Sequence, residues 1–482
     1  LTTDRLRFLV GVCLTCLLLL PLGAAVAASS GYQEWWLSGR GWRILFDSCT
    51  FALLAGAVAT VGGYLIGRSG VGFAALACVP MAIPASLMGS AWIVALGRSG
   101  PLGEWITVFD WPIASGVVGL RYVGIAAIIF ATQRSGAGPA ARVFTIRHAW
   151  WWLGIRPAFA PAVAAWAAAF LLVSVDHIMP SMFLIHTYGT QVLIQYNALQ
   201  DIPGAAALAT PMLLPALIAI GIIIVSIRPR HTTECHARTP ASFLPAGLVV
   251  LLALGVPLCA VVWQIGSPAT LGNALRAMRP EITRTLFLAV VSAPLCVGLG
   301  WLLAESWLRR WRRGHWSIEP LILMNLVAPP SLLAMGVIGL FDRGPLRLFR
   351  DGDAPLIAAY AARFVPLVML VMFIVGLRRP TLSDTAACLF NVPAWTRLRR
   401  IHWPARRTEL AVVLILAGLL VATELEASLL LVPAGTATVG VRLYTLIHTA
   451  PDAQVSAAAL GVLLCLIPWF VLMGFIATRR RT

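Results

Sequence analysis

The chain has 482 residues, 59% of them hydrophobic and only 11% charged, with a mean hydropathy of +0.86, the balance of a polytopic membrane protein. Its formal charge of +17 comes from Arg alone, because Lys is absent. A Walker A phosphate loop and a Lys Schiff base are therefore excluded, any ATP chemistry must sit on a partner chain, and the charge points to anionic lipid and membrane orientation rather than to nucleic acid.

A membrane span needs about 20 apolar residues. In chain order the predicted spans cover about 8–28, 45–66, 71–97, 113–133, 158–180 and 206–227, then 243–264, 284–306, 318–341, 355–376, 409–432 and 456–477. The fifth and eleventh are the least regular. Arg5 and Arg7 before the first span mimic a signal peptide, but more spans follow at once, so it is read as a retained helix; Leu1 points to a non-ATG start or to trimming. The expected fold is an all-α polytopic membrane protein of about twelve transmembrane helices: a six-span unit over 1–227, a cytoplasmic linker over 228–242, and a second six-span unit over 243–482. With the N terminus inside, two thirds of the 36 Arg fall in cytoplasmic segments, which puts both termini and the linker in the cytoplasm. Trp35, Trp36 and Trp42 on one side, and Trp150 to Trp152, Trp307, Trp311 and Trp316 on the other, read as interfacial anchors.

Most of the nine Cys lie in apolar runs. The CxxC of Cys13 and Cys16 sits inside a span and reads as packing. His231, Cys235 and His236 in the linker lack a fourth ligand and read as solvated polar chain. No cofactor or metal site is expected in this chain.

The halves match at a nearly constant offset. Pro84-Ala-Ser-Leu87 answers Pro329-Pro-Ser-Leu332, Gly100-Pro-Leu102 answers Gly344-Pro-Leu346, and Arg121-Tyr-Val-Gly124 answers Arg363-Phe-Val-Pro366. Six spans per unit is an even number, so both copies enter the membrane in the same direction, as a parallel repeat.

Between the tenth and eleventh spans runs DTAACLFNVPAWTRLRRIHWP, Asp384 to Pro404. This basic stretch resembles the cytoplasmic coupling loop of ABC-importer permeases, whose pattern is Glu-Ala-Ala, three residues, Gly, nine residues, Ile-x-Leu-Pro. Thr385, Ala386 and Ala387 hold the first three places, with Asp384 adjacent, and Asn391 holds the Gly place. Ile401 and Pro404 fall at the right spacing, while Trp403 replaces Leu. Small Ala side chains allow close approach, and Asn is the residue after Gly best suited to a turn with φ > 0. A worn copy lies between the fourth and fifth spans: Ala140 and Ala141 after Pro139, Thr145 at the Gly place, Ile155 at the Ile place, and Pro157 one residue early. The third span with its outer loop, VPMAIPASLMGSAWIVALGRSGPL, and the run TELEASLLLVPAGTATVGVRLYTLIH from Thr423 resemble the ferric-iron and thiamine group of these permeases; the first-half counterpart of the latter is VSVDHIMPSMFLIHTYGTQV from Val173. The resemblance implies the type I importer fold in a bacterial cytoplasmic (inner) membrane. It also implies two copies of an ATP-binding subunit below, carrying the ATP and Mg, and a periplasmic or surface substrate-binding protein above.

Few charges lie at membrane depth. Arg121 and Arg363 sit about eight residues into inward-running spans, and Asp176 and Glu424 about 15 residues into the outward-running spans that follow, so at 1.5 Å per residue in a core about 30 Å thick each acid stands near the height of one Arg. Consecutive spans are neighbours by default, and a lone central Arg costs about 2.5–3.5 kcal/mol even on a lenient scale. Two equivalent ion pairs are expected, Arg121–Asp176 and Arg363–Glu424. Glu426 has no counterpart, because Ile178 holds that place. These five residues either lock adjacent helices or line a passage.

The function expected is the permease subunit of an ATP-driven importer, moving a small solute inward by alternating access. Ferric iron is the favoured solute, with thiamine, a polyamine or a phosphonate-like solute behind it. The alternative is an ion-gradient-driven secondary transporter, in which parallel repeats also occur. A membrane-embedded enzyme is disfavoured, because neither HExxH nor GxSxG nor a paired-carboxylate site appears.

Overall fold

The computed structural model describes residues 2–28, 39–69, 76–97, 106–132, 150–199, 201–226, 243–265, 267–312, 314–315, 317–377, 396, 400 and 403–478. Among these residues the protein is all-helical, with no strand. The N-terminal half contains α1 (Thr2–Ala28), α2 (Gly39–Ser69), the short α3 (Val79–Ala82), α4 (Ala85–Leu96), α5 (Trp111–Arg121), α6 (Val123–Thr132), α7 (Trp150–Val175), the short α8 (Ile178–Met182), α9 (Tyr188–Leu199), α10 (Ile202–Ala209) and α11 (Leu213–Ser226). The C-terminal half contains α12 (Phe243–Val250), α13 (Val256–Ile265), α14 (Pro268–Ala277), α15 (Arg279–Arg312), α16 (Leu323–Val327), α17 (Pro330–Phe341), α18 (Ala354–Leu377), α19 (Trp403–Thr423), the short α20 (Glu426–Leu431), α21 (Val439–Thr449) and α22 (Asp452–Thr478).

Six helical stretches among the described residues are long and apolar enough to cross a membrane: Val10–Ala27, Gly39–Ser69, Pro203–Ser226, Leu244–Ile265, Arg279–Trp311 and Ala354–Ile374. Two bent pairs, α5 with α6 at 51° and Glu319–Leu326 with α17 at 111°, raise the number to eight if each is one span. Their outward faces carry Leu17, Phe46, Val61, Leu214, Ile218, Leu244 and Val290 in exposed positions, as suits a surface solvated by lipid. The third predicted span falls on the 12-residue α4, the fifth and eleventh end with α7 and α19 at Val175 and Thr423, and the twelfth lies within the 27-residue α22. Twelve residues rise only about 18 Å, short of a core about 30 Å thick.

At α4 and α17 the apolar run read from sequence is longer than the helix because the chain breaks inside it. Pro84 and Pro329 take nearly the same backbone angles, φ −51° with ψ 137° and φ −51° with ψ 135°. That extended ψ ends the preceding turn and starts a new helix at the next residue. The fifth and eleventh predicted spans break in a second way. α7 stops at Val175 and resumes as α8 after Asp176 and His177, and α19 stops at Thr423 and resumes as α20 after Glu424 and Leu425. Broken backbone at membrane depth is tolerated only inside protein or along a cavity, and all four of these break residues are buried.

Packing recurs between the halves. α2 lies against α5, α6 and α7; α15 lies against α18 and α19. α4 meets α8, and α17 meets α20; α7 meets α11, and α19 meets α22. The first long helix of each half crosses over: α1 packs on α17, and α13 packs on α4. Glycine permits the closer of these crossings, since a Cβ on Gly336 would stand 1.8 Å from the Pro21 carbonyl oxygen. Local bonds recur as well. The Ser48 hydroxyl of α2 accepts from the Tyr188 N–H at 2.7 Å, and the Thr285 hydroxyl of α15 accepts from the Val439 N–H at 2.9 Å. Each ties a long helix to the first residue of the helix beyond the break, α9 or α21.

Candidate functional site: a buried charge cluster between the halves

The two long-range pairs expected from sequence are brought together. Arg121, at the C-terminal end of α5, places NH1 3.3 Å from Asp176 Oδ2. Arg363, in the middle of α18, places Nε 3.2 Å from Glu424 Oε2. Each guanidinium also lies over the ring of the next residue, Arg121 at 5.6 Å from the Tyr122 centroid and Arg363 at 5.9 Å from that of Phe364. The cation thus has an aromatic face as well as a carboxylate.

Both acids sit at a helix break, and the local geometry explains why an acid suits that place. The first N–H groups of a helix lack intrahelical partners. Asp176 Oδ1 accepts from the Met179 N–H at 3.3 Å, and Glu424 Oε1 accepts from the Ala427 N–H at 3.2 Å. In each case one carboxylate oxygen caps the short helix that follows and the other faces the Arg. Asp176 Oδ2 also accepts from the Tyr122 hydroxyl at 2.8 Å. On the Arg side, Arg121 NH2 donates to the Ile83 carbonyl at 3.0 Å, just before the Pro84 break. Five polar groups therefore pin α5, α7, α8 and the α3–α4 break to one another.

Glu426 finds a partner the sequence did not announce. Its Oε1 lies 3.1 Å from His177 Nδ1, joining the N-terminal half to the C-terminal half. His177 is 3% and Glu426 5% exposed, so the contact is sealed from bulk solvent. His177 follows Asp176 directly and Glu426 stands two residues after Glu424, so the His177–Glu426 contact joins the two Arg–acid pairs into one buried cluster across the seam. Tyr360 of α18 adds a further bond, its hydroxyl 2.7 Å from that of Ser428, which in turn donates to the Glu424 carbonyl at 3.0 Å. His177 and Tyr122 each neighbour a predicted residue in sequence, Asp176 and Arg121. That adjacency was the one signal that could have found them.

The unit is not fully satisfied. Arg121 Nε, Arg363 NH1, His177 Nε2 and Glu426 Oε2 are buried with no hydrogen-bond partner among the described residues. Leaving a buried polar group unmade costs about 1–3 kcal/mol, more for a charged one. Asp176 and Glu424 use both of their carboxylate oxygens, as structural members do. Arg121, Arg363, His177 and Glu426 each keep one donor or acceptor without a partner among the described residues.

The predicted coupling residues stand differently. Asp384, Thr385, Ala386, Ala387, Asn391, Ile401, Ala140, Ala141 and Thr145 lie outside the described residues, as do His231, Cys235 and His236. Ile155 and Pro157 fall in the first turns of α7, and Pro404 in the first turn of α19. Among the described residues no group of three or more His, Cys, Asp or Glu is placed to hold a metal ion, and Cys13 and Cys16 are free thiols. Compared with known protein families, curated proteins and solved structures, the chain matches none.

Proposed function

We propose that this chain is the membrane-spanning permease of an ATP-driven importer: twelve spans in two parallel six-helix repeats, with the buried charge cluster at the middle of the solute path. The observation that carries the transport function is the pair of Arg–acid contacts at equivalent helix breaks, joined across the seam by His177–Glu426. Ionisable groups at membrane depth are costly and are kept chiefly for moving ions or solutes. Support for the repeat comes from the matched packing pairs, the matched Ser48 and Thr285 bonds, and the crossed α1 and α13. Support for an ATPase partner comes from Asp384–Pro404 and its worn copy, whose sequence resembles a coupling loop. In this scheme ATP closes a partner dimer below, the loops move with it, and the seam parts to accept solute from a binding protein above. Ferric iron remains the favoured cargo on resemblance, in a bacterial inner membrane with both termini in the cytoplasm.

A second class of transporter is favoured by one feature. A His–carboxylate contact at membrane depth is the chemistry of proton relays in gradient-driven carriers. Purification from the native membrane separates the two. An importer brings with it a subunit that hydrolyses ATP, and Ala387→Glu, which adds bulk and charge to the loop, releases that subunit. Uptake that survives ATP depletion and stops with a protonophore, in a chain with no ATPase attached, would replace the importer by the gradient-driven carrier.

A further inference from the structure

The two Pro breaks create a matched pair of helix starts. α4 and α17 are each 12 residues long, begin directly after Pro84 and Pro329, and have no side chain capping the first turn. The second helical residue of each is a serine, Ser86 and Ser331, 0% and 1% exposed. Both hydroxyls lack a hydrogen-bond partner among the described residues. Four other helical serines bond back to a carbonyl three or four residues earlier, Ser90 to Leu87, Ser115 to Pro112, Ser174 to Phe170 and Ser181 to Ile178, while the buried Ser292 within α15 is unpartnered among the described residues. Ser86 and Ser331 have that option removed, because the residues three and four earlier lie across the Pro break. For Ser86, the Ile83 carbonyl is moreover taken by Arg121. A Cα–Cβ bond in a helix tilts toward the N-terminus, so each serine leans toward its own helix start; in α17, where Pro330 has no N–H and the Leu332 N–H bonds to the Pro329 carbonyl at 2.9 Å, the backbone donor left beside the hydroxyl is the Ser331 N–H.

The first-turn N–H groups carry the positive end of the helix dipole, and the pair of donors, backbone and hydroxyl, is what an oxyanion accepts from. A cationic group borders the first start, where Arg121 is bonded at the break, and the helix packed against α17 is α18, which carries Arg363 with its unpartnered NH1. The acids nearby do not fill the role, since Asp176 and Glu424 cap α8 and α20 instead.

We propose that the N-termini of α4 and α17, with Ser86 and Ser331, form two oxyanion subsites, and that the solute presents a carboxylate, phosphate or phosphonate-type group to them, for a ferric cargo the oxyanion that chelates it. The binding site stands on the helix starts themselves; its assignment to the solute rests on the transport function proposed above.

The test uses the full chain in phosphate-free maltoside micelles, with radiolabelled inorganic phosphate as probe. Saturable binding, competed by sulfate and acetate, is expected. Ser86→Ala and Ser331→Ala are each expected to weaken it at least tenfold and the double variant to abolish it. Folding is preserved, because each change removes a hydroxyl that bonds to nothing in the protein; an unchanged or raised melting temperature checks this. Absence of phosphate binding to the unaltered chain, or unchanged binding in a folded double variant, overturns the proposal. Displacement of bound phosphate by phosphatidylglycerol but not by a phosphate-free glycolipid overturns the solute assignment, giving the site to a lipid headgroup. A chain that binds phosphate through both serines yet carries no ATPase keeps the oxyanion site and loses the importer.

Discussion

Arg121 and Arg363 occupy matching places but not matching environments, and the difference sets the sharpest energetic prediction. Arg121 is 9% exposed at its side chain and makes one ion pair, to Asp176, and donates one hydrogen bond, to the Ile83 carbonyl. Replacing it by Met keeps much of the volume and leaves Asp176 buried and negative, with only Tyr122 and the Met179 N–H beside it. Breaking a buried pair from one side costs about 3–5 kcal/mol. Arg363 is 21% exposed and makes one contact, to Glu424, so partial solvent screening lowers the cost of Arg363→Met to about 1–3 kcal/mol. The gap of about 2 kcal/mol is roughly thirtyfold in the folded-to-unfolded ratio. Equilibrium unfolding in mixed micelles with rising dodecyl sulfate, followed by Trp fluorescence, reads both variants. Asp176→Asn completes a cycle, because an Asn oxygen can still cap Met179 while the charge is gone; a coupling energy of about 1–3 kcal/mol with Arg121→Met is expected. Equal costs for the two Arg variants, or a coupling near zero, would refute the reasoning. The charge exchange Arg363→Glu with Glu424→Arg restores the ion pair but not the cap on Ala427, so it recovers only part of what each single change loses.

Other consequences can be measured independently. Leu184, between α8 and α9, has φ 61°, where the C-terminal half has Gly435 at φ 78°; Leu184 is 74% exposed, so Leu184→Gly gives up little packing and is expected to raise stability by about 1 kcal/mol in the same unfolding assay. Ser48→Ala and Thr285→Val each strand a buried N–H, at Tyr188 and Val439, and each costs about 1–3 kcal/mol; two clearly unequal costs would count against equivalent halves. Gly336→Ala drives a methyl into the Pro21 backbone and displaces α1 by more than a side chain can absorb, with a loss of about 3 kcal/mol or more, visible as protease cleavage within α1 in intact micelles. Glu426→Gln removes one charge at the seam and is expected to cut uptake strongly at normal protein level; unchanged uptake takes Glu426 out of the path.

Apolar run length made the helices legible in sequence, and the offset between Pro84-Ala-Ser-Leu87 and Pro329-Pro-Ser-Leu332 located two breaks that share their backbone angles. The Arg–acid pairs followed from depth counting alone, since a charge in hydrocarbon must be answered at its own height. His177 was missed because one imidazole in an apolar run has no periodicity to betray it, and its partner lies 249 positions away. The ends of α7 and α19 were placed too late for a related reason. A hydropathy window averages over Asp176 and Glu424, whereas the backbone stops there to be capped by them. The coupling stretches carry their signal in spacing, and for most of their residues the geometry is not described.

The crossing of α1 onto α17 and of α13 onto α4 has a consequence for biogenesis. On the ribosome, α1 emerges more than 300 residues ahead of the surface it must cover, and α4 waits for α13 before its own flank is sealed. Neither half can therefore complete its interior alone. The N-terminal segment must linger in the bilayer as a loose assembly until translation has passed Phe341. Co-expression of the two halves as separate polypeptides should rescue each from degradation, whereas either fragment by itself should be cleared by membrane proteases.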